Sequence, residues 1–285
     1  MIDLHVHSNY SDGKLSVTEL LQKAINDDIS VLSITDHDNM ESTRDLKEKI
    51  IPKKITIIPG IEMSTIVQNI IPEKKIHLLG YGYDSDNIEL IKAIENIYKM
   101  RAEDNQEYIA DIISKYPFLL QEFFKDFDYG KYGWIKKRIS QQIAPFLKER
   151  EQEEINQFMI EHKPSYRGYH FILEDAIKKI LDAGGYPVLA HPYQLNVENE
   201  QLDLLVSYLK NCGLAGIESY HNGATKEEAA FYHLLALKYD LLESGGSDYH
   251  RSDKKLGCTH PEMKTQEPSL VKKLVRENKI IRRRE

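Results

Sequence analysis

The sequence predicts an α/β fold. Short apolar runs rich in β-branched residues alternate with helical patterns over most of the 285 residues. Such alternation favours parallel strands joined by crossover helices, and the sequence contains no internal repeat or low-complexity tract. Seven strand-and-helix units are recognisable. That number favours a barrel over an open sheet.

The first predicted strand covers residues 2–6 and alternates strictly. Ile2, Leu4 and Val6 face one way, so Asp3 and His5 share the opposite face with His7 just beyond the strand. Ser16 and Glu19 have the spacing of a capping box, which predicts the start of a helix. Residues 31–35 form the second predicted strand.

The remaining strands are predicted at residues 55–58, 76–79, 188–190, 216–219 and 241–244. Pro59-Gly60 is expected to stop the third strand, and Gly80 the fourth. A helix over residues 173–183 ends at Gly184-Gly185. A second capping box at Thr225 and Glu228 opens a helix that reaches about Tyr239.

Residues 85–168 interrupt this rhythm, because they carry long helical patterns over 87–116 and 135–160 and no strand pattern. We therefore expect residues 1–84 and 169–285 to form the barrel domain and residues 85–168 to form an inserted helical lid. A packing appendage would look the same in sequence. The lid is favoured because the segment interrupts a barrel between two ligand-bearing strands, where connecting segments usually carry function.

The composition excludes several classes of protein. A net charge of −7 argues against a basic field that wraps nucleic acid, and no apolar run is long enough to span a membrane. Two cysteines, Cys212 and Cys258, are too few for a disulfide framework, which favours a reducing, cytoplasmic location. The basic residues from Lys272 to the end of the sequence are interpreted as the solvated face and frayed end of a last helix, with an RNA-contacting tail as the alternative.

Nine candidate metal ligands come nearly all at the carboxyl ends of predicted strands, where active sites of parallel barrels assemble. They are His5, His7, Asp12, His37, Glu62, His77, His191, Asp248 and His250. Burying so many titratable groups without a cation would be costly, so the set predicts a multinuclear centre with nitrogen and oxygen ligands. For the other histidines, surface solvation is expected: His162, His170, His221, His233 and His260.

These residues lie in motifs that resemble the PHP superfamily, named for polymerase and histidinol phosphatase. The motifs are HVH at 5–7, SDG at 11–13, TDHD at 35–38, PGIE at 59–62, HLLGY at 77–81, AHP at 190–192 and GGSDYH at 245–250. The resemblance covers nearly the whole predicted barrel and only poorly the helical insertion. It implies a distorted (β/α)7 barrel that holds three divalent metal ions.

By this resemblance one ion would bind His5, His7, Glu62 and Asp248, and a second would bind Glu62, His77 and His191, with Glu62 as the bridge. A third would bind Asp12, His37 and His250. The implied chemistry is hydrolysis of a phosphoester by a hydroxide shared between two metals. Manganese, iron and zinc all suit nitrogen and oxygen ligands.

Four further residues are candidates for a catalytic or supporting role. Asp36 and Asp38 flank His37 and would orient its ring, although Asp36 is equally expected to be a structural acceptor. Glu218 follows the sixth strand and is expected to contact substrate or a ligand histidine, with a capping or salt-bridged role as the alternative. His221 is a candidate for protonating the leaving group, and the alternative is a solvated loop histidine without a catalytic role.

Within the superfamily, the motifs resemble small bacterial phosphoesterases, which hold phosphate with basic residues of the insertion. The chain keeps Arg101 and Asn105 of one such motif and has Asp104 where a second arginine is expected. That carboxylate would repel a second phosphate. Arg138 and Arg167 are candidate replacements.

The predicted function is a metal-dependent phosphomonoesterase acting on a nucleotide, either a 5′-phosphate or a 3′,5′-bisphosphate. A 5′-to-3′ exonuclease on short oligonucleotides, including RNA, and a histidinol-phosphate phosphatase are the enzymatic alternatives. Two alternatives come from other functional classes: a non-catalytic nucleotide-binding module and an amidohydrolase-like enzyme. No membrane and no obligate protein partner are expected.

Overall fold

The computed structural model describes residues 1–67, 75–119, 121–133, 135–162, 170–251, 255–264 and 267–281. The chain forms two compact units. The first contains Met1–Lys92 and His170–Glu285, and the second contains Ala93–Tyr169. No helix among the described residues is long and apolar enough to cross a membrane.

Nine strands occur in the described residues, and all of them belong to the first unit. They are β1 Ile2–Val6, β2 Val31–Ile34, β3 Thr56–Ile57, β4 Gly60–Ile66, β5 Lys75–Tyr81, β6 Phe171–Ile172, β7 Tyr186–Leu189, β8 Gly216–His221 and β9 Leu242–Gly246. Together with the helices they confirm the mixed α/β class.

The strands form two sheets, with the orders β1-β2-β3 and β6-β4-β5-β7-β8-β9. Isolated bridges between Val6 and Tyr249 and between His37 and Glu62 connect the two sheets. In the described residues the ladders do not form one continuous closed ring, so the closed barrel stays a prediction.

β4 differs from the sequence expectation, in which Pro59-Gly60 only ends the third strand. The strand in fact begins at Gly60, and a Cβ atom there would lie 2.1 Å from Oγ of Ser33. The glycine therefore allows β4 to approach β2 closely and does not terminate a strand.

β5 is antiparallel to both β4 and β7, which corrects the expectation of parallel strands only. The physical reason is the short connection between β4, which ends at Ile66, and β5, which begins at Lys75. A parallel crossover needs about a dozen residues or more, whereas an antiparallel return does not.

Nine α-helices are described, most of them in the first unit. They are α1 Val17–Asn26, α2 Glu41–Glu48, α3 Ile88–Lys115, α4 Ile135–Ile143, α5 Glu149–Glu161, α6 Leu173–Asp182, α7 Asn199–Asn211, α8 Lys226–Lys238 and α9 Ser269–Arg276. Both predicted capping boxes are confirmed, at Ser16 with Glu19 and at Thr225 with Glu228. The expected helical block over residues 135–160 is two helices, because Pro145 lies in a short turn between them.

The second unit has an apolar core of its own between α3, α4 and α5. Its fully buried residues include Ile112, Ile139 and Ile155. In the first unit, β1 is buried on both faces. Leu4 and Val6 belong to apolar clusters, whereas Asp3 and His5 are buried among polar groups.

The C-terminal segment is better anchored than a frayed helix end. α9 buries Leu270, Val271 and Leu274, and the N–H of Ile281 donates a 2.9 Å hydrogen bond to the carbonyl of Ile57. Ile281 itself is buried. The arginines at 282–284 lie outside the described residues.

Candidate metal centre

The carboxylate of Glu62, fully buried in β4, is surrounded by five imidazoles. Its Oε2 atom lies 3.1 Å from Nε2 of His5, 3.1 Å from Nε2 of His7 and 3.3 Å from Nδ1 of His37. Its Oε1 atom lies 2.9 Å from Nδ1 of His77 and 2.9 Å from Nε2 of His191. Each oxygen of one carboxylate therefore faces its own group of histidines.

Different strands bring these side chains together. His5 lies within β1, His7 and His37 follow β1 and β2, and His191 follows β7. His77 differs from the expectation of a strand end, because β5 is antiparallel and its third residue lies at this edge, opposite Ser64 of β4. The reversed strand thus contributes a histidine near its start.

Ligand atoms of candidate residues converge within 4.8 Å of one another in four groups among the described residues. The groups are His5, His7, Glu62 and Asp248; His7, Asp12, His37 and His250; His37, Glu62 and His77; and His5, Glu218 and His221. The first equals one set implied by the resemblance. The second adds His7 to another implied set.

Asp248 and Asp12 contribute the outer carboxylates. Oδ1 of Asp248 lies 3.2 Å from Nε2 of His7 and 3.4 Å from Nδ1 of His250. Oδ1 of Asp12 lies 3.1 Å from Nε2 of His250. On the other side, Nε2 of His191 lies 3.3 Å from Nδ1 of His77. All nine predicted ligands thus lie in one connected cluster.

Within the cluster, the pKa of one histidine is raised and that of another is lowered. Burial alone would lower the pKa of His7, but Asp248, Glu62 and Asp12 outweigh it and raise the pKa to about 10. Burial lowers the pKa of His37 well below its ordinary value. Glu62 is itself kept ionised, because the surrounding histidines hold its pKa well below the usual range despite burial.

The donor set fits divalent metal ions. Nε2 of His7 lies close to two carboxylates without making a hydrogen bond to either, although the atom is completely buried. A buried imidazole nitrogen that converges with carboxylate oxygens in this way is arranged as a ligand. Manganese, iron and zinc accept such mixed nitrogen and oxygen ligands.

Asp36 holds a loop rather than standing free beside His37. Its Oδ1 atom accepts hydrogen bonds from the N–H of Ser8 (2.8 Å) and from Oγ of Ser11 (2.6 Å), and its Oδ2 atom accepts from Oγ of Ser8 (2.6 Å). These are the contacts of the structural-acceptor alternative. Ser11 belongs to the SDG motif at 11–13, whereas Ser8 lies in no motif and carries no specific signal in the sequence.

Asp38 also serves the backbone of β4. Its Oδ1 atom accepts a 2.8 Å hydrogen bond from the N–H of Ser64, and its own N–H donates to the carbonyl of Glu62 at 2.8 Å. Asp38 has a φ of 46°, a conformation that aspartate tolerates better than most residues. The residue thus fixes the position of the strand that carries Glu62.

Glu218 contacts two candidate ligands. Its Oε1 atom lies 3.0 Å from Nδ1 of His5, and its Oε2 atom accepts a 2.7 Å hydrogen bond from the N–H of His191. The carboxylate is fully buried. These distances correspond to the expected contact with a ligand histidine rather than to helix capping.

His221 and His260 correct the expectation of surface solvation, because their exposed fractions are only 3% and 6%. β8 extends to His221, two residues beyond the predicted strand end, and so carries its ring inward. His162 and the side chain of His233 are exposed, as expected. His170 is partly buried. Protonation of a leaving group by His221 stays a prediction.

In the helical unit, the predicted phosphate-binding residues contact backbone carbonyls of residues 128–131. Arg101 donates to the carbonyl of Gly130 at 3.2 Å, and Asn105 donates to that of Tyr129 at 2.7 Å. Arg138 donates to the carbonyls of Asp128 and Lys131. Arg167 lies outside the described residues. Phosphate binding by these residues stays a prediction.

Two glycines of the recognised motifs pack directly against the ligand-bearing strand. A Cβ atom at Gly246 would lie 2.3 Å from Cβ of His5, and one at Gly13 would lie 2.1 Å from the carbonyl oxygen of His7. Any side chain at these positions would displace β1 or its following loop. The glycines are therefore required by close approach of backbone to backbone.

A family model described as the PHP domain matches residues 3–174. Three curated bacterial relatives each match 87% of this chain. A phosphoribosyl 1,2-cyclic phosphate 1,2-diphosphodiesterase of Eggerthella lenta is 26% identical and covered to 93%. A 5′-3′ exoribonuclease of Haemophilus influenzae is 26% identical and covered to 89%. A 3′,5′-nucleoside bisphosphate phosphatase of Chromobacterium violaceum is 24% identical and covered to 87%.

Among solved structures, an amidohydrolase from Chromobacterium violaceum with bound sulfate is similar, with a TM-score of 0.75 and 23% sequence identity. The match covers 99% of this chain and 97% of that one. At this identity the likeness concerns the fold, which the two proteins share over nearly their full lengths.

Proposed function

The chain belongs to the PHP domain family, and we propose that this metal-dependent phosphoesterase hydrolyses a phosphomonoester of a nucleotide, either a 5′-phosphate or a 3′,5′-bisphosphate. The nucleoside bisphosphate phosphatase among its relatives supports this substrate class. The relatives that are named as hydrolases argue against a non-catalytic nucleotide-binding module.

The observation that carries the proposal is the division of Glu62 between two groups of histidines. A carboxylate with one oxygen in each group suits a bridge between two ions. We propose the first ion at His5, His7, Glu62 and Asp248, and the second at Glu62, His77 and His191. Asp12, His37 and His250 would hold a third. Divalent ions at such positions activate water and neutralise phosphate charge.

The protein's own residues position this machinery. Glu218 would fix the ring of His5 through Nδ1 and the backbone of His191 through its N–H, at the distances given above. Asp36 would hold the loop that carries Asp12, and Asp38 would hold the strand that carries Glu62. A cluster of this kind performs hydrolysis without a serine or cysteine nucleophile, because phosphoester cleavage depends mostly on positioning and charge neutralisation.

For the helical segment we propose the role of a lid over the substrate, with Arg101, Asn105, Arg138 and Arg167 as candidate phosphate contacts. The guanidinium groups of Arg101 and Arg138 carry the positive charge that suits contact with a phosphate, and both donate to carbonyls of residues 128–131. The carboxylate of Asp104 favours a substrate with a single phosphate at that place over a bisphosphate.

The test is a substrate panel with the purified protein after removal of metal and reloading with Mn²⁺, Fe²⁺ or Zn²⁺. Release of inorganic phosphate is measured from 5′-nucleotides, 3′,5′-bisphosphonucleosides and histidinol phosphate. We expect the nucleotides to be hydrolysed and chelated protein to be inactive. Glu62→Gln serves as the inactive variant and Glu41→Gln, at an exposed glutamate of α2, as its matched control. If none of the esters releases phosphate with any of the three metals, the proposal is overturned.

A 5′-3′ exoribonuclease is the second candidate, because a relative with that name is 26% identical to this chain, which is similar to the 24% of the bisphosphate phosphatase. Labelled 5′-phosphorylated RNA of a few nucleotides separates the two functions. Stepwise release of mononucleotides would favour the exoribonuclease, whereas release of phosphate alone would favour the phosphatase. Ribose 1,2-cyclic phosphate 5-phosphate belongs in the same panel, since another relative is named for such a diester.

A further inference from the structure

His221 is held in one tautomer by its own loop. The imidazole lies at the end of β8, and its Nδ1 atom accepts a 2.8 Å hydrogen bond from the N–H of Gly223. A ring nitrogen that accepts from an N–H carries no proton, so the proton of the neutral ring is on Nε2. The loop thereby presents His221 as a donor through Nε2.

That donor is buried and has no hydrogen-bond partner among the described residues. The side chain is only 3% exposed, so bulk water does not replace the missing partner. Leaving a buried N–H unpaired costs free energy, and native proteins rarely do so without a functional reason. The donor therefore points to a partner that is not part of the chain.

The ring lies beside both histidine groups of the metal centre. Its centroid is 6.2 Å from that of His5 and 6.1 Å from that of His191, and it meets both rings edge-on. His5 faces one oxygen of Glu62 and His191 faces the other. A donor at this position is adjacent to both proposed ion sites, where a bound phosphoryl group would place its oxygens.

A metal ion held by His221 is the competing interpretation, because His5, Glu218 and His221 converge within 4.8 Å. Oε2 of Glu218, however, accepts a 2.7 Å hydrogen bond from a backbone N–H, that of His191, and Oε1 contacts Nδ1 of His5 at 3.0 Å, which is the arrangement of a carboxylate that orients ligands. His5 also faces Glu62 through Nε2. This group is therefore better suited to orienting His5 than to binding another ion.

Building on the phosphoesterase function proposed above, we propose that neutral His221 donates its Nε2–H to a phosphoryl oxygen of the substrate. The residue thus binds the phosphoryl group and does not supply the proton of the leaving group. Tyr193, whose ring centroid lies 4.9 Å from that of His221, packs on the ring and helps to keep its plane fixed.

Two substitutions separate the nitrogens of the ring. In His221→Asn, the amide oxygen replaces Nδ1 as the acceptor for Gly223, and no donor remains at the position of Nε2. In His221→Gln, an amide N–H can reach that position. With Mn²⁺-loaded protein, we expect His221→Asn to lower kcat/KM and to weaken binding of inorganic phosphate by about 10- to 100-fold. We expect His221→Gln to recover at least about tenfold of this loss.

A series of aryl and alkyl phosphates distinguishes the two roles of the histidine. A phosphoryl-oxygen donor lowers kcat/KM to a similar extent for good and poor leaving groups. A loss confined to poor leaving groups would identify a general acid and overturn the proposal. Equal phosphate affinity in wild type and His221→Asn would also overturn it. Metal content is measured in each variant, and loss of bound metal in His221→Asn would favour the competing role as a ligand.

Nitrogen NMR of the metal-free protein tests the tautomer without any turnover. We expect Nδ1 of His221 to be unprotonated and Nε2 to be protonated. A protonated Nδ1 would contradict the proposal. If wild-type protein hydrolyses no ester, the proposed function fails by itself, while the NMR and phosphate-binding measurements still decide the role of His221.

Discussion

The backbone N–H of His191 donates a 2.7 Å hydrogen bond to Oε2 of Glu218. The two residues are 27 positions apart in the sequence. His191 has a φ of 25°, which is unusual for a residue with a side chain. The buried carboxylate therefore holds a strained backbone as well as the ring of His5. Strain of this kind persists only where the surroundings determine it.

Glu218→Gln is expected to weaken metal binding or turnover by about 10- to 100-fold, because it removes the negative charge that orients His5 and His191. Metal affinity is measured by titration with Mn²⁺ and activity by phosphate release. The control is Glu243→Gln, which changes a 2.9 Å glutamate-histidine contact to His233, outside the metal centre. Similar losses in both variants would show that Glu218 has no special positioning role.

Glu62→Gln is expected to reduce bound metal by more than one ion per chain and activity by about 1,000-fold or more, since an amide bridges two cations poorly. Metal is counted by elemental analysis after dialysis. The fold should persist, because glutamine has nearly the same volume, and circular dichroism checks this. A variant with the full metal complement and normal turnover would contradict the bridging assignment.

Asp12→Ala is expected to remove one ion and to leave the others bound. Asp12 contacts His250 at the outer side of the cluster, and its side chain is 18% exposed, whereas Glu62 is fully buried at the centre. Elemental analysis of Asp12→Ala beside Asp45→Ala gives the comparison, because Asp45 of α2 forms an ion pair with Lys49 and is not a predicted ligand. Loss of all ions from Asp12→Ala would show that the sites are not separable.

Asp36→Ala is expected to lower the free energy of unfolding by about 3 kcal/mol, because it leaves three donors of Ser8 and Ser11 without their acceptor. Ser8→Ala removes one hydroxyl donor and is expected to cost about 1 kcal/mol. Urea unfolding is measured on metal-free protein, so that metal binding does not contribute to stability. A cost for Asp36→Ala no larger than that for Ser8→Ala would refute the structural role.

Much of the centre follows from simple patterns in the sequence. Alternation in β1 places His5 on the face opposite Leu4, and both His5 and His7 contact Glu62 in the structure. Turn chemistry identified both capping boxes, because the Ser16 and Thr225 caps depend only on residues within one helical turn.

Other features depend on contacts between distant residues and leave no local pattern. The sequence pattern at Pro59-Gly60 predicts the end of a strand, whereas in the structure Gly60 allows the close approach to Ser33. The reversed direction of β5 depends on which strand it pairs with, and both directions have the same alternation. Burial of His221 results from two extra residues of β8, and strand ends are the least predictable part of an element.

The close approach of Gly246 to His5 joins two segments that are far apart in the sequence, so it bears on when the centre can assemble during synthesis. His5 and His7 are translated long before Asp248 and His250, which they contact in the folded protein. A nascent chain that ends before residue 248 therefore lacks two of the nine predicted ligands. We therefore expect the proposed ions to be retained only after residue 250 has been translated.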